Sequence, residues 1–254
     1  MNPVEFGHAT LISRVADGQW HALEDDLVAG RAETSRRPDG RLFVSIDAWH
    51  EAAFDRLAEA VLAALPRPLH TVVDEADEEL AARWRRSGFA IRRREIEYAV
   101  PTDPHVTGLD EARSPAGVTV KAFGSAEEGP LLDLDRVIRD EVGAGWRDMP
   151  AEVLVRPAFD PSKYAVASHA GEYVGLLRVA TVTRLPRIGL LAVRSGWRRR
   201  GVGRALLGHA LGALHRVGKQ TASAEVTESN VAATALVEGI GARRAGSNLE
   251  LVIR

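Results

Sequence analysis

Residues 73–100 and 226–253 can be laid over one another without a gap, at a constant offset of 153 positions. Val73 falls on Val226, Asp77 on Asn230, Gly88 on Gly241, Glu97 on Glu250 and Val100 on Ile253. Each copy reads as a strand, a capping Asp or Asn, a helix, a closing glycine and a second strand. An internal repeat in this register predicts two related domains, which restricts the chain more than any single motif does.

The chain in order supports that division. Residues 1–37 carry patchy helical character, around 10–15 and 20–28. Pro38, Asp39 and Gly40 then form a turn signal that feeds a strand over 41–46. Phe54, Leu57, Val61 and Leu65 mark an amphipathic helix stopped by Pro66 and Pro68. After a strand at 71–73, Asp77 caps a helix carrying Leu80, Ala81 and Trp84, which ends at Gly88 before a strand over 91–100. Residues 101–117 hold three prolines and two glycines, so the expected division is a domain over 1–104, a linker over 105–117 and a domain over 118–254. In the second domain a strand over 118–122 precedes a helix whose Leu131, Leu134, Ile138 and Val142 face inward. Asp133 and Asp140 face water. Glu141 lies near the apolar stripe and reads as a partly buried salt bridge, or as the lining of a site for a cationic amine. Residues 164–168 and 173–179 form a hairpin through Ala170 and Gly171, with His169 solvated at the turn.

Residues 188–207 hold the chemistry. A short apolar strand, 190–193, is followed by a basic glycine loop and then by Val202, Ala205, Leu206, Ala213 and Val217 at helical spacing. Gly201 and Gly203 remove side chains where backbone N–H groups could close on phosphate oxygens, and the helix aims its positive dipole end at the same place. Arg198, Arg199, Arg200 and Arg204 add guanidinium forks suited to a pyrophosphate. A P-loop fits poorly, because Gly203 is followed by Arg204 and Ala205 rather than by Lys and Ser or Thr. A dinucleotide fingerprint fits poorly: Leu206 stands where a third small residue belongs, and seven residues separate Val193 from Gly201.

Composition removes other classes. The 254 residues are 27% charged and 45% apolar, as in a globular protein able to bury a core. A net charge of -2 argues against a general nucleic-acid binder. Cysteine is absent, which excludes disulfides, thiolate metal sites and a cysteinyl acyl-enzyme. No HExxH or paired histidine spacing and no Gly-x-Ser-x-Gly elbow occurs, so neither a metal site nor a serine hydrolase is expected. With no leading apolar run of signal-peptide length, the expected location is the cytoplasm, without membrane attachment.

Residues 198–203, Arg-Arg-Arg-Gly-Val-Gly, match the acetyl-CoA signature of the GNAT superfamily of N-acetyltransferases. The resemblance extends through the preceding Leu-Ala-Val strand, Trp197 and the Ala-Leu-Leu helix start. Residues 224–241 resemble the family's second signature of a strand, a helix-capping Asn and a closing Gly turn. The resemblance implies an α+β fold of two GNAT-like domains, each a mixed, mostly antiparallel sheet flanked by helices. The N-terminal domain is shortened and degenerate: Asp47-Ala48-Trp49-His50-Glu51 follows its strand without glycine, so no coenzyme is expected there. The C-terminal domain is expected to bind acetyl-CoA, as cosubstrate, through Leu191, Val193, Arg198, Arg199, Arg200, Gly201, Val202, Gly203, Arg204 and Asn230.

The implied reaction is direct attack of an amine, on a small molecule or a peptide, on the acetyl thioester. A lysine-like amine, with a pKa near ~10.4, must lose a proton before or during attack. Some family members place a glutamate on the strand before the loop, and Arg187 stands at that position here. Others use a glutamate five residues before the capping Asn, where this chain has Glu225, the expected base. An exposed ion pair with one of the arginines is the alternative for that residue. Those enzymes also carry a Tyr seven residues after the Asn, here Val237. A thiol pKa near ~8.5 lets the thiolate leave without an acid, and Ser229, Tyr164 and Tyr173 are the other candidate donors. The oxyanion is expected on a backbone N–H near Val193. A module that senses coenzyme A without catalysis is the reading from another class.

Overall fold

The structure, a computed structural model, describes residues 10–37, 39–109, 114–143, 145, 149, 158–180 and 185–254. They form strands β1 (Leu11–Ala16), β2 (Gln19–Glu24), β3 (Leu27–Arg36) and β4 (Leu42–Ala48), then helix α1 (Glu51–Ala64), β5 (Leu69–Asp74), α2 (Glu78–Arg86) and β6 (Ala90–Pro101). The short α3 (Pro104–Thr107), β7 (Val118–Lys121), α4 (Glu128–Val142), β8 (Tyr164–His169), β9 (Glu172–Ala180) and β10 (Arg187–Val193) follow. Next come α5 (Val202–Arg216), β11 (Thr221–Thr227), α6 (Val231–Glu238) and β12 (Arg243–Ile253). The described residues pack as two compact units. The first ends at Glu95 and regains the chain at Gly246–Arg254; the second is Ile96–Ala245.

In the first unit the strands run β1-β2-β3-β4-β5-β12, and the opening of β6 lies beside β12. All neighbours from β1 to β4 are antiparallel, β4 and β5 are parallel around α1, and β12 is antiparallel to β5. The start of the chain corrects the helical expectation. Residues 11–15, 20–24 and 27–28 lie in strands, and Asp25 and Asp26, at φ 49° and 64°, make the two-residue left-handed turn that suits the twist of the β2–β3 hairpin. Trp20 and Ala22 alternate into the core while Gln19 and His21 do not. The turn over 38–40 includes Pro38, which lies outside the described residues.

The repeat is visible in matched detail. The Asp77 carboxylate accepts the Leu80 N–H, and the Asn230 side chain accepts the Ala233 N–H, at nearly identical cap dihedrals. Gly88 and Gly241 both turn the chain at positive φ, 93° and 82°. The strands that close the two copies, β6 and β12, are exchanged: β12 pairs with β5, whereas β6 lies next to β11. Of the stretch read as linker, Thr107 and Leu109 are buried in the second unit, and 110–113 lie outside the described residues.

α1 and α2 cover one face of the first sheet, where Phe54 meets Trp84 edge-on at 5.1 Å and Trp84 meets Phe89 at 4.8 Å. Each such pair adds about 0.5–1.5 kcal/mol to the apolar burial. Glu250 alternates away from Leu249 and Leu251 and is buried. Around it lie His70 Nδ1 at 3.0 Å, Arg41 at 3.2 Å, Arg92 at 3.1 Å and Arg93 at 2.6 Å. Burial pushes its carboxyl pKa up, but the His70 hydrogen bond and the Arg93, Arg92 and Arg41 charges outweigh burial and hold it at about 2.

The second unit has the strand order β6-β11-β10-β9-β8-β7. β7 to β10 are antiparallel neighbours, and β10 and β11 are parallel around the crossover helix α5. Leu206, Leu207, Ala210 and Leu211 of α5 pack on one face of this sheet with Leu177, Ile188, Ala224 and Val226. On the other face Leu131, Leu134 and Ile138 of α4 pack with Tyr164, Val166, Tyr173 and Leu176. No helix among the described residues is long and apolar enough to cross a membrane.

Candidate functional site

The parallel strands β10 and β11 pair only at Arg187 with Ser223 and at Ile188 with Ala224. Beyond Ile188 a register shift at Gly189 alters the run of β10, which keeps its partner β9 as far as Val193 opposite Gly175. Residues 190–193 of this central strand are therefore only half-buried. Arg194 donates its N–H to the Val174 carbonyl at 3.0 Å. Successive peptide groups of a strand point to opposite edges, so the Val193 N–H points to the edge that β11 has left.

The chain then crosses to α5 through 194–201. A 3-10 turn, Ser195–Trp197, is followed by Arg199 at φ 61° and Gly201 at φ 90°, which begins the helix. Gly201 is a position that a side chain would strain. No side chain caps this helix and no acid lies in its first turn. Its first intrahelical bond is Ala205 N–H to Gly201 O at 3.0 Å, so the N–H groups of Val202, Gly203 and Arg204 precede it and point out of the helix end. The other β-strand-to-helix crossover differs. Only Trp49 and His50 separate β4 from α1, and the His50 ring accepts the Ala53 N–H and closes that helix.

Gly203 has no conformational need to be glycine. A Cβ there would lie 3.6 Å from Leu236 Cδ2 and 3.9 Å from Leu191 Cδ2, ordinary contact distances, and its φ is not in the left-handed region. Val202 is buried, so it can serve a ligand only through its backbone. Arg199, Arg200 and Arg204 are exposed. Arg198 turns back and donates Nε–H to the Val193 carbonyl at 3.0 Å. The Arg200 guanidinium lies 5.2 Å over the Trp197 ring, and Trp197 packs on His169 at 4.6 Å. His169 is thus part of the loop's support and not simply solvated. Glu141 also reaches the loop, where its carboxylate accepts the Ser195 N–H at 2.6 Å. The structure places it in an ion-pair cluster, the first of the two roles expected from sequence.

Glu225 lies on β11 two residues beyond Ser223, the register partner of Arg187, and Arg187 Nη2 meets Glu225 Oε2 at 2.5 Å. Ala222, Ala224 and Val226 face α5, so Ser223, Glu225 and Thr227 line the opposite face. Arg178 of β9 is on that face too. Its guanidinium lies over Gly189, where a Cβ would stand 3.4 Å from Nη2. A glycine inside a strand signals a close approach of this kind, and it is the sequence signal by which Arg178 could have been found.

The remaining candidates separate. Asn230 caps α6 with its Oδ1. Val237 is buried in the core between the sheet, α5 and α6. Tyr164 stacks on Phe159 at 6.3 Å, and the Tyr173 hydroxyl accepts the Glu127 N–H at 3.1 Å. Both tyrosines belong to the core under α4, while Ser229 is exposed. No cluster of three or more potential metal ligands occurs among the described residues.

Residues 132–242 match the profile of the acetyltransferase (GNAT) family. No curated protein sequence matches the chain. Among solved structures, a GCN5-related N-acetyltransferase from Sphaerobacter thermophilus superposes with a TM-score of 0.66 at 16% identity, over 95% of this chain and 82% of that one. A tandem GNAT protein from the clavulanic acid biosynthesis pathway gives 0.64 at 16% identity, over 92% and 82%. A GCN5-related N-acetyltransferase from Kribbella flavida gives 0.60 at 18% identity, over 96% and 89%. At these identities the likeness is one of fold.

Proposed function

We propose that the chain, whose residues 132–242 match the acetyltransferase (GNAT) family, transfers an acetyl group from acetyl-CoA to an amine of a small molecule or peptide. The observation that carries this reading is the start of α5. An uncapped helix end, a glycine that packing does not require and four neighbouring arginines meet beside the open edge of β10. The pyrophosphate sits on the N–H groups of Val202, Gly203 and Arg204, within reach of Arg198, Arg199, Arg200 and Arg204. The pantetheine arm runs along β10 past Leu191, with Asn230 and α6 on its other side. The thioester carbonyl accepts the Val193 N–H.

The amine nitrogen attacks the thioester carbon in a ternary complex, and the oxyanion forms at the Val193 N–H. The C–S bond breaks as the carbonyl reforms, and coenzyme A leaves as a thiolate, later protonated from solvent. Glu225 accepts the proton that the amine loses. It stands on the face of β11 beside the open edge, and Arg187 must withdraw from it as the acceptor enters. Residues 1–104 and 118–254 are read as two halves of common design, the first without coenzyme because its crossover is short and its helix capped. The reaction is placed in the cytoplasm.

Thiol release from acetyl-CoA over a panel of amines tests the reading, together with calorimetric titration. One acetyl-CoA per chain and amine-dependent thiol release are expected; a chain that neither binds acetyl-CoA nor releases thiol refutes it. The Arg187–Glu225 ion pair and the buried Val237 favour one second reading, a module that senses coenzyme A. It predicts binding without thiol release for every amine.

A further inference from the structure

Glu141 stands in the last turn of α4, a helix fixed from below by Leu131, Leu134 and Ile138. Its carboxylate gathers the beginning of the β10–α5 loop. Oε2 accepts the Ser195 N–H at 2.6 Å, Oε1 lies 3.7 Å from Arg194 Nε, and Oε2 lies 3.9 Å from Arg198 Nη2. The side chain is 19% exposed. Arg198 in turn holds the Val193 carbonyl, the residue whose N–H faces the open edge of β10. One carboxylate therefore ties three loop residues to a rigid helix, and through Arg198 it reaches the strand end where the thioester is expected.

We infer that Glu141 is a positioning residue that holds the 194–201 loop in the conformation that accepts coenzyme A. The inference rests on the acetyl-CoA reading above. Two physical effects of the carboxylate oppose each other. As a hydrogen-bond acceptor it keeps Ser195 and the following 3-10 turn in place, so the ligand does not have to order the loop on binding. As a negative charge near Arg198 it repels a pyrophosphate approaching the same guanidinium. The hydrogen bond at 2.6 Å is direct, whereas the Arg194 and Arg198 contacts are longer and partly solvated, where charge is screened. The acceptor role therefore dominates.

Three substitutions separate the two. Glu141→Ala loses both the acceptor and the charge. Glu141→Asp keeps the charge on a side chain one methylene too short to reach the Ser195 N–H. Glu141→Gln keeps the reach and an acceptor oxygen and loses the charge. Acetyl-CoA titrations should show Glu141→Ala and Glu141→Asp binding about 10-fold more weakly, a loss of one well-made hydrogen bond, while Glu141→Gln stays within about 2-fold of the parent. Thermal melts of the unliganded proteins run beside them, because a purely structural role lowers the melting temperature and leaves affinity unchanged. If Glu141→Ala does not fold, the Asp and Gln proteins decide alone. Asp binding like the parent with Gln impaired, or all variants binding equally, overturns the inference and leaves the acetyl-CoA reading standing. A parent protein that binds no acetyl-CoA overturns both.

Discussion

Gly201 and Gly203 are separated by one residue, and substitution by alanine should have opposite consequences at the two. Gly201 has φ 90°, and a Cβ in that left-handed region costs about 1–2 kcal/mol whatever the space around it. Gly203 is inside the first turn of α5 with ordinary φ, and its Cβ would rest 3.6 Å from Leu236 and 3.9 Å from Leu191. Alanine there removes backbone entropy from the unfolded chain and gains up to about 1 kcal/mol. In a domain of this size 1 kcal/mol moves the melting temperature by roughly 2–4 °C. Gly203→Ala should therefore melt at or above the parent, and Gly201→Ala below it. Acetyl-CoA affinity should reverse that order for Gly203. On the proposed reading its methyl, between Leu236 and Leu191, crowds the coenzyme where it approaches the Gly203 N–H, and loss of one charge-assisted hydrogen bond, about 1.5–3 kcal/mol, weakens binding roughly 10- to 150-fold. Differential scanning calorimetry and isothermal titration on the same preparations supply both numbers. A stable Gly203→Ala protein that binds acetyl-CoA as tightly as the parent refutes the phosphate assignment, because nothing else requires glycine there.

Acid stability should report on Glu250. Its folded pKa, about 2, lies below the ordinary carboxyl value of 4.5. The stabilisation, roughly 3 kcal/mol, is thus complete above pH ~4.5 and lost as pH falls toward ~2. Urea midpoints measured between pH 6 and 2.5 should show that loss. Glu250→Gln should be less stable at pH 6, with Arg41, Arg92 and Arg93 left uncompensated, and flatter across the acid range. For the proposed base, Glu225→Gln should leave acetyl-CoA affinity intact while turnover at neutral pH falls by about 10²- to 10⁴-fold. Unchanged turnover would dismiss Glu225 in favour of a water chain.

Local signals carried most of the fold. The capping Asp77 and Asn230, the turn glycines Gly88 and Gly241 and the apolar stripe of α4 act within one turn of chain, and the structure has them where their chemistry demands. The opening strands are not legible in sequence because the β2–β3 turn, Asp25-Asp26, lacks the glycine that usually marks a left-handed two-residue turn, and because Leu11, Val15 and Leu27 are exposed. The exchange of β6 and β12 could not be read at all. Alternating residues say that a strand has a buried face, not which of two similar strands it pairs with. Two copies of one repeat offer each closing strand two equivalent neighbours.

The site divides the same way. The elements proposed to face the phosphates are contiguous in sequence, because a glycine loop and the helix it starts are a single local structure. The groups around the expected acceptor are not: Arg178, Arg187 and Glu225 come from three strands, and only the sheet register brings them to one face. In sequence, Arg187 registers merely as the place where some relatives carry a base. In the parallel pair it stands opposite Ser223, so a side chain of its length reaches Glu225, two residues further along the same face. A cation at 187 and a carboxylate at 225 thus form one unit, and the guanidinium occupies an oxygen that a proton acceptor would use. An entering ammonium group can displace the guanidinium only by offering the carboxylate a comparable partner, whereas a neutral acceptor cannot. On the proposed reading, the ion pair that ties up one oxygen of Glu225 would therefore also make the site selective for an acceptor that arrives charged.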